Sequence, residues 1–423
     1  MANSFNKEIS VAWTEILSGM NDRLVVSRQV KKYQTDQQTM QRSLDVMWRR
    51  MPTIMSSNSA GLDQTGLYKD VTNLSVPASI TRHSTVPWIM TAKDLRDSLA
   101  NGDLAKGAYQ KIASDINTSA HNVIASLGSI TVKRPLSATG FDDVATCSSA
   151  LREIGVSGDE LKMALTLRDY QGMAGDLAKR QTMGPKTLDA YEKGQVGKNV
   201  AGFDIYETDT APRLLAAIGV GVTISAANQF YVPKATSTAV GGEINNVDNR
   251  FQNISIAVTS GTVRVGDRFT VGTNSVHQIT KVDTGQLKTF VVVGIVSGAG
   301  GTGVVTISPP FISAQGATNA EVQYQNITAT PANGATLVFL NTVTAGMNVF
   351  WDQDSIEVLP GRFEVMPDTG IMIRRGTLDN GVNVIMTQST DINTLQAKFR
   401  IDAFWGVVNL NTEMSGVMLF GQT

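Results

Sequence analysis

Few residues in this sequence have the type and spacing that chemistry needs. Residues 298–303 match the G-x-G-x-x-G pattern of dinucleotide sites, in which the glycine loop must open a helix whose N-terminus meets the pyrophosphate. Here the pattern leads directly into 304–307, a β-type run of Val, Val, Thr and Ile. The sequence therefore predicts a hairpin turn at this position, and we expect no cofactor.

Candidate metal ligands are also few in this sequence. The chain has three histidines, and no two of them share a metal-ligand spacing. Asp352 and Asp354 form a D-x-D pair of the kind that binds hard cations, but a turn beside a strand explains them as well. We expect no metal site.

The single cysteine, Cys147, cannot close an intrachain disulfide, and its small-residue helical surroundings predict a core position. No G-x-S-x-G elbow occurs, and no nucleophile, base and oxyanion donor stand together in the sequence. We therefore expect a chain that is not an enzyme. An enzyme with a β-rich accessory domain is kept as a remote alternative.

The amino-acid composition excludes several further classes of protein. The 423 residues include 36 Lys and Arg against 37 Asp and Glu, a balance that argues against a nucleic-acid reader. The hydrophobic fraction of 42% is too high for a disordered chain. The longest nearly apolar stretch, 214–227, is too short to cross a bilayer, and the N-terminus lacks the pattern of a signal peptide. We expect no membrane partner.

The N-terminal 30 residues predict an amphipathic helix, because apolar residues such as Ile16, Met20 and Leu24 recur at three- or four-residue steps. Three acidic residues seven positions apart share another face of this helix: Glu8, Glu15 and Asp22. That stripe is either solvated or a docking face for a basic partner, and both readings stay open.

The next two segments contrast sharply. Residues 49–86 have little helical periodicity and carry a turn cluster around Ser56 and Asn58, so they predict a long hairpin or extended loop. Residues 91–128 predict one long helix that begins at a Thr91-x-x-Asp94 capping box and ends at Gly128.

Residues 222–343 differ in composition from the rest. They hold 6 basic and 5 acidic residues, about 9% of the window, against about 21% elsewhere. The window has no convincing helical stripe, and β-type runs recur between turn signals, which is typical of an all-β barrel or sandwich inserted into a host domain. The runs are 254–259, 268–271, 289–296, 304–308, 321–328 and 335–340. The flanking regions, 129–221 and 344–423, mix helical and strand patterns and predict an α+β host.

Eight short motifs, in this order, give the chain a resemblance to a known family. It resembles the major capsid proteins of P22-like tailed bacteriophages, close to the Sf6-like members. The motifs are Lys31-Lys32-Tyr33, Met40-Gln41-Arg42-Ser43, Asp94-Leu95-Arg96-Asp97, Val200-Ala201-Gly202-Phe203-Asp204, Val247-Asp248-Asn249-Arg250-Phe251, Asn348-Val349-Phe350-Trp351, Asp391-Ile392-Asn393-Thr394-Leu395 and Trp405-Gly406-Val407.

The resemblance implies an HK97-type capsid fold with an inserted β-barrel, the I-domain. Residues 1–30 would be the N-terminal arm and 31–128 the peripheral domain. The latter would contain the E-loop at 49–86, with Ser56, Asn58 and Asp63 as contact candidates, and the spine helix at 91–128. Residues 129–221 would form the first part of the axial domain, and 222–343 would be the inserted β-barrel. Residues 344–423 would complete the axial and peripheral domains.

The resemblance also implies a function. Family members form pentamers and hexamers and assemble with a scaffolding protein and a portal protein into an icosahedral procapsid, in the host bacterial cytoplasm. The lattice would be T=7, and the shell would expand and hold double-stranded DNA without sequence-specific binding. Within the insertion, 236–250 would reach a neighbouring capsomer through Glu243, Asp248 and Arg250. An encapsulin-type nanocompartment shell is the main alternative.

Overall fold

The computed structural model describes residues 6–33, 46–51, 68–91, 98–156, 158, 160–179, 196–197, 199–361, 371–391, 393–394 and 396–423. Within them the helices are α1 Asn6–Arg23, α2 Ser98–Leu127, α3 Phe141–Ile154, α4 Leu167–Lys179 and α5 Asn319–Tyr324. The strands are β1 Lys31–Lys32, β2 Met47–Arg50, β3 Ser75–Ala78, β4 Arg82–Thr91, β5 Ile130–Lys133, β6 Leu161–Thr166, β7 Phe203–Thr208, β8 Arg213–Leu214, β9 Thr223–Ile224, β10 Thr236–Thr238, β11 Ile244–Asn246, β12 Gln252–Ala257, β13 Arg268–Val276, β14 Asp283–Ile295, β15 Gly303–Ser308, β16 Val338–Phe339, β17 Ala345–Gly346, β18 Asn348–Asp352, β19 Ile356–Pro360, β20 Met372–Thr377, β21 Asn383–Asp391, β22 Gln396–Asn409 and β23 Ser415–Leu419.

The chain divides into two compact units. The first comprises Met1–Met47, Ala78–His121 and Ile356–Val408, and the second Trp48–Pro77, Asn122–Ser355 and Asn409–Thr423. The predicted domain boundaries stay predictions.

The first unit is organised by a sheet in the order β1-β19-β22-β21-β20, with β4 also paired to β22. The helix α1 buries Ile16 and Met20, and Leu24 is buried directly after the helix ends, at the positions that the three- and four-residue spacing predicts. Its last carbonyl, that of Arg23, accepts from Nδ2 of Asn117 on α2 at 2.5 Å. The apolar side of the helix is therefore used within its own chain.

One sheet in the second unit, in the order β5-β23-β18-β6-β7, packs against α3 and α4. Their shared core includes Cys147 and Leu151 from α3 and Phe350 from β18. Both helices and the strands at 161–166 and 203–208 lie in 129–221, where the mixed helical and strand patterns predict an α+β host.

The insertion folds as a six-stranded sheet in the order β16-β13-β14-β15-β12-β9. A bridge between Thr223 and Thr336 joins its two ends, so the sheet closes into a barrel. Every buried residue of the barrel core falls between residues 222 and 343. The ring of Phe290 stacks on Phe269 with centroids 5.7 Å apart and meets Phe311 edge to face with centroids 4.8 Å apart. The fold class is thus α+β with an inserted β-barrel.

Two predictions about elements were wrong. The run 321–328 was expected as a strand, but α5 occupies 319–324, since the Oγ1 of Thr318 accepts from the amide of Glu321 and the Glu321 carboxylate accepts from the amide of Thr318. The long helix was expected from residue 91, but Thr91 ends β4, which pairs antiparallel with β22, and α2 begins at Ser98. Residues 92–97, with Asp94 of the proposed cap, lie outside the described residues.

Candidate assembly surfaces

The hairpin formed by β10 and β11 is the most exposed element of the insertion. Thr236 pairs with Asn246 and Thr238 with Ile244, and every residue of both strands is exposed. The turn is closed by the amide of Ala239, which donates to the carbonyl of Glu243 at 2.8 Å. We call residues 236–246 the outer hairpin.

The tip of the outer hairpin carries apolar side chains in solvent. Val240 is fully exposed at the turn, and Ile244 is 74% exposed on the returning strand. Glu243 is the one ionisable residue of the outer hairpin, and its side chain is exposed. An exposed apolar tip with one charge beside it suits insertion into a partner surface better than an ion-pair contact alone.

A buried asparagine fixes the base of the outer hairpin. The Oδ1 of Asn249 accepts from the amide of Lys234 at 2.9 Å and from the hydroxyl of Tyr231 at 3.0 Å. Its Nδ2 donates to the carbonyls of Lys234 and Val247. Burial, and secondarily Asp248, raises the pKa of Tyr231 to about 12, so the phenol remains a hydrogen-bond donor further into the alkaline range than an ordinary tyrosine.

Asp248 and Arg250, predicted as partners for a neighbouring capsomer, bond to each other in the isolated chain. The guanidinium of Arg250 donates to both carboxylate oxygens of Asp248, at 2.9 and 2.7 Å, and its third nitrogen donates to the carbonyl of Asn409 at 2.8 Å. Arg250 is 8% exposed. Of the three predicted contact residues, Glu243 is the one that presents its charge to solvent, and the inter-capsomer role stays a prediction.

The acidic stripe of the arm lies on the exposed side of α1. Glu15 and Asp22 are exposed, whereas Trp13 and Ile16 on the other side are buried. The side chain of Glu8 lies outside the described residues. A helix held by its apolar side leaves this carboxylate face available, so both readings of the stripe are compatible with the fold.

The predicted long loop contains a real hairpin base. β2 and β3 pair with each other, and the amide of Met51 donates to the carbonyl of Leu74 at 3.1 Å. The contact candidates Ser56, Asn58 and Asp63 all lie outside the described residues. The last predicted residues of the loop, from Arg82, belong to β4 instead.

Sequence reasoning missed the charged contacts that hold the insertion to its host. Arg268 is fully buried, and it donates to the carbonyls of Gly128 at 2.7 Å and Ala125 at 2.5 Å and to Oγ1 of Thr131 at 3.0 Å. These carbonyls lie at the C-terminal end of α2, where cations are favoured by the helix dipole. The available signal was that Arg268 stands within a strand-like run of a window in which about 9% of the residues are charged.

A second buried charge repeats this arrangement on β14. The ammonium of Lys288, which is 3% exposed, forms an ion pair with Glu413, and that carboxylate also accepts from Nδ2 of Asn326 at 3.1 Å. Next to it, Oγ1 of Thr289 donates to the carbonyl of Ser129 at 2.8 Å. The insertion is thus bonded to its host through polar side chains.

The residues that the sequence offered as candidates for cofactor, nucleophile or metal chemistry lie in turns or in the core. Residues 298–303 connect β14 to β15 as a hairpin turn, with φ of 78° at Gly298 and 84° at Gly300, values that favour glycine. Cys147 is fully buried, and burial raises the pKa of its thiol. Asp352 ends β18 and accepts from the amide of Asp354 at 2.9 Å, as a turn requires.

Within the described part of the chain, no three His, Cys, Asp or Glu side chains come together as a metal site would require. Among the same residues, no helix combines the length and apolar character needed to cross a bilayer.

The described residues combine an α+β host, a packed N-terminal helix, the base of a hairpin and an inserted β-barrel, which is the arrangement that the resemblance to phage capsid subunits implied. The family model of the P22 coat protein, gene protein 5, matches residues 1–421, and the chain belongs to this family. It is therefore a structural coat protein of the virion capsid, of the kind that self-assembles into a shell, and the nanocompartment and enzyme alternatives are not favoured.

Solved structures similar to the chain include phage capsids. One from Mycobacterium phage Che8 is 8% identical, with 93% of this chain and 90% of that chain covered and a TM-score of 0.45. One of the bacteriophage PhiM1 mature capsid is 11% identical over 93% and 86% of the two chains, with a TM-score of 0.40. The I-domain of the CUS-3 coat protein is 38% identical over 28% of this chain and 95% of that chain, with a TM-score of 0.22.

Proposed function

We propose that this coat protein assembles, with a scaffolding protein and a portal protein, into a T=7 procapsid that expands and encloses double-stranded DNA. Assembly would take place in the bacterial cytoplasm and would build pentamers and hexamers. The observation that carries the proposal is the outer hairpin, which is exposed along both strands and bonded at its base by Asn249. Such a hairpin is suited to reach another subunit without first having to become ordered.

Shell assembly favours many modest contacts over one tight contact. Weak contacts that act together give avidity in the closed shell, while a misplaced subunit can still dissociate during growth. The tip of the outer hairpin, with the apolar side chain of Val240 and the carboxylate of Glu243, offers a small surface that is suited to one such weak contact. In this proposal the E-loop, through Ser56, Asn58 and Asp63, would supply further contacts of the same kind.

The near balance of charge, 36 basic against 37 acidic residues, supports the DNA part of the proposal. Each phosphate that a protein neutralises adds salt-dependent affinity. A shell whose subunits carry little net charge can enclose the duplex without gripping it, so that DNA can move during packaging.

The arm supports the scaffolding part of the proposal. α1 keeps its apolar side inside the subunit, which leaves Glu15 and Asp22, and Glu8 by sequence spacing, as a carboxylate stripe for a basic partner helix. Charge complementarity of this kind raises the rate of encounter and fixes the register of the partner.

The test is electron microscopy of the purified full-length chain with and without the scaffolding protein from the same phage. We expect closed shells of uniform size only when the scaffolding protein is present. A variant with Glu8→Lys, Glu15→Lys and Asp22→Lys should lose most of the shell yield. The matched control reverses three other exposed acids, Glu153, Glu160 and Glu207, and changes the net charge equally.

Two results would contradict the proposal. Equal loss in both triple variants would show that net charge, not the arm stripe, matters. A monodisperse monomer under all conditions, with the scaffolding protein present, would contradict scaffold-directed assembly itself.

A further inference from the structure

The base of the long hairpin is bonded to the insertion of the same subunit. The side-chain amide of Gln323, on α5, bonds both sides of one backbone unit: its Oε1 accepts from the amide of Thr72 at 3.0 Å, and its Nε2 donates to the Thr72 carbonyl at 3.2 Å. The hydroxyl of Tyr324 donates to the same carbonyl at 2.8 Å. Three hydrogen bonds therefore converge on a single residue of the hairpin.

The helix that presents these side chains is itself rigidly held. The carboxylate of Glu321, fully buried, accepts from the amides of Gly316 and Thr318 and from the Thr318 hydroxyl. Gln323 is 8% exposed, so its amide has little water to replace the Thr72 bonds. Breaking them leaves buried polar groups without a hydrogen-bond partner or water in its place, which is unfavourable.

A second contact lies three residues along the hairpin. Ser75 forms a parallel β-bridge with Asp248, beside the buried side chains of Leu74 and Val76. The position of Asp248 is set by its fork with Arg250, which also bonds the carbonyl of Asn409. The same short segment, 247–250, also fixes the base of the outer hairpin through Asn249.

We propose that Gln323, Tyr324 and Asp248 form a latch that sets the position of the β2–β3 hairpin from the insertion. If the barrel moves, the β2–β3 hairpin must then move with it. A movement of the β2–β3 hairpin or of the outer hairpin must also displace residues 247–250. The inference rests on the contacts within one subunit and not on the proposed assembly pathway. It assigns Asp248 and Arg250 a role inside the subunit, in addition to any contact with a neighbour.

The test is hydrogen exchange of the full-length monomer, read on peptides that cover residues 68–78, with tryptic cleavage after the exposed Lys69 as a second readout. The double variant Gln323→Ala, Tyr324→Phe should raise exchange in 68–78 and cleavage at Lys69 by about 10-fold or more. Exchange in β12 and β13 of the barrel should not change. The matched control is Gln325→Ala, whose side chain bonds the carbonyls of Ser313 and Ile327 instead of the hairpin.

Two further variants separate a latch from simple packing. Gln323→Glu keeps the shape but places an acceptor against the Thr72 carbonyl, so it should loosen 68–78 as the double variant does. Thr72→Pro removes the bonded amide from the hairpin side and leaves the barrel untouched, which covers the case in which an α5 variant does not fold. Wild-type protection of 68–78 in the double variant, or an equal rise across the barrel, would overturn the proposal.

Discussion

The attachment of the insertion to its host and the outer hairpin differ in charge. At the attachment Arg268 and Lys288 are buried and bonded, whereas the outer hairpin exposes Val240 and Ile244. The buried charged residues between 222 and 343 are Arg250, Asp267, Arg268, Lys288 and Glu321. The aliphatic residues that are more than half exposed are Val240, Ile244, Val265, Val282, Leu287, Val296 and Val338.

This reversal explains the low charge of the window. Most soluble domains place charge outside to stay apart from one another. Here about half of a small set of charges serves contacts within the subunit, and the surface that remains is weakly charged and partly apolar. A surface of that kind is typical of a protein that works surrounded by partners, as a coat protein does. The contrast can be tested by removing charge at the base and adding it at the tip.

The largest effect should come from Arg268. Arg268→Ala leaves the carbonyls of Ala125 and Gly128 and the hydroxyl of Thr131 without their donor and opens a cavity beside α2. We expect the free energy of unfolding to fall by about 4 kcal/mol, measured by urea denaturation of the full-length monomer.

Arg264→Ala is the matched control for Arg268, since Arg264 lies four residues away on the same segment and is only partly buried. We expect it to cost about 1 kcal/mol or less. Equal losses in the two variants would show that the buried arginine contributes nothing special to the attachment of the insertion.

A smaller loss, about 3 kcal/mol, is expected for Arg250→Ala, because the partly buried carboxylate of Asp248 then lacks its partner. The double variant Asp248→Ala, Arg250→Ala should cost less than the two single variants together, and the difference measures their coupling. The fork predicts that the double variant destabilises the monomer itself, and additive single effects would contradict that expectation.

Charge at the tip should act in the opposite sense. Val240→Asp changes a fully exposed side chain, so the free energy of unfolding should shift by less than about 0.5 kcal/mol. Shell yield with the scaffolding protein, counted by electron microscopy, should fall severalfold, because a charge would have to be desolvated in the contact. Val265→Asp, an exposed valine outside the outer hairpin, is the control. Normal yields from Val240→Asp would remove the outer hairpin tip from the assembly contacts.

How far the sequence predicted these features depends on the range of the interactions. The barrel strands at 252–257 and 303–308 were predictable, because alternating aliphatic residues match one buried face. α5 was not, since a six-residue helix has no stripe and only the Thr318–Glu321 box marks it. Arg268 and Gln323 bond residues at sequence separations of 140 and 251, and no local pattern carries such information. Asp248 and Arg250 were found by resemblance, which identified the residues but not their mutual fork.

The subtlest effect concerns pH at the attachment of the insertion. Burial, partly offset by Glu413, lowers the pKa of Lys281 to about 8; its Nζ donates to the carbonyl of Gln325, and Lys288 lies near. Between that pH and about 10.4 the unfolded chain still holds the proton that the folded chain has lost, so this residue makes stability rise with pH in the window. The urea midpoint of the wild type minus that of Lys281→Met should therefore increase from pH 8 to pH 10. Lys234→Met, at an exposed lysine, should give a constant difference, and a flat or falling difference for Lys281→Met would show that its ammonium is as well solvated in the folded chain as in the unfolded one.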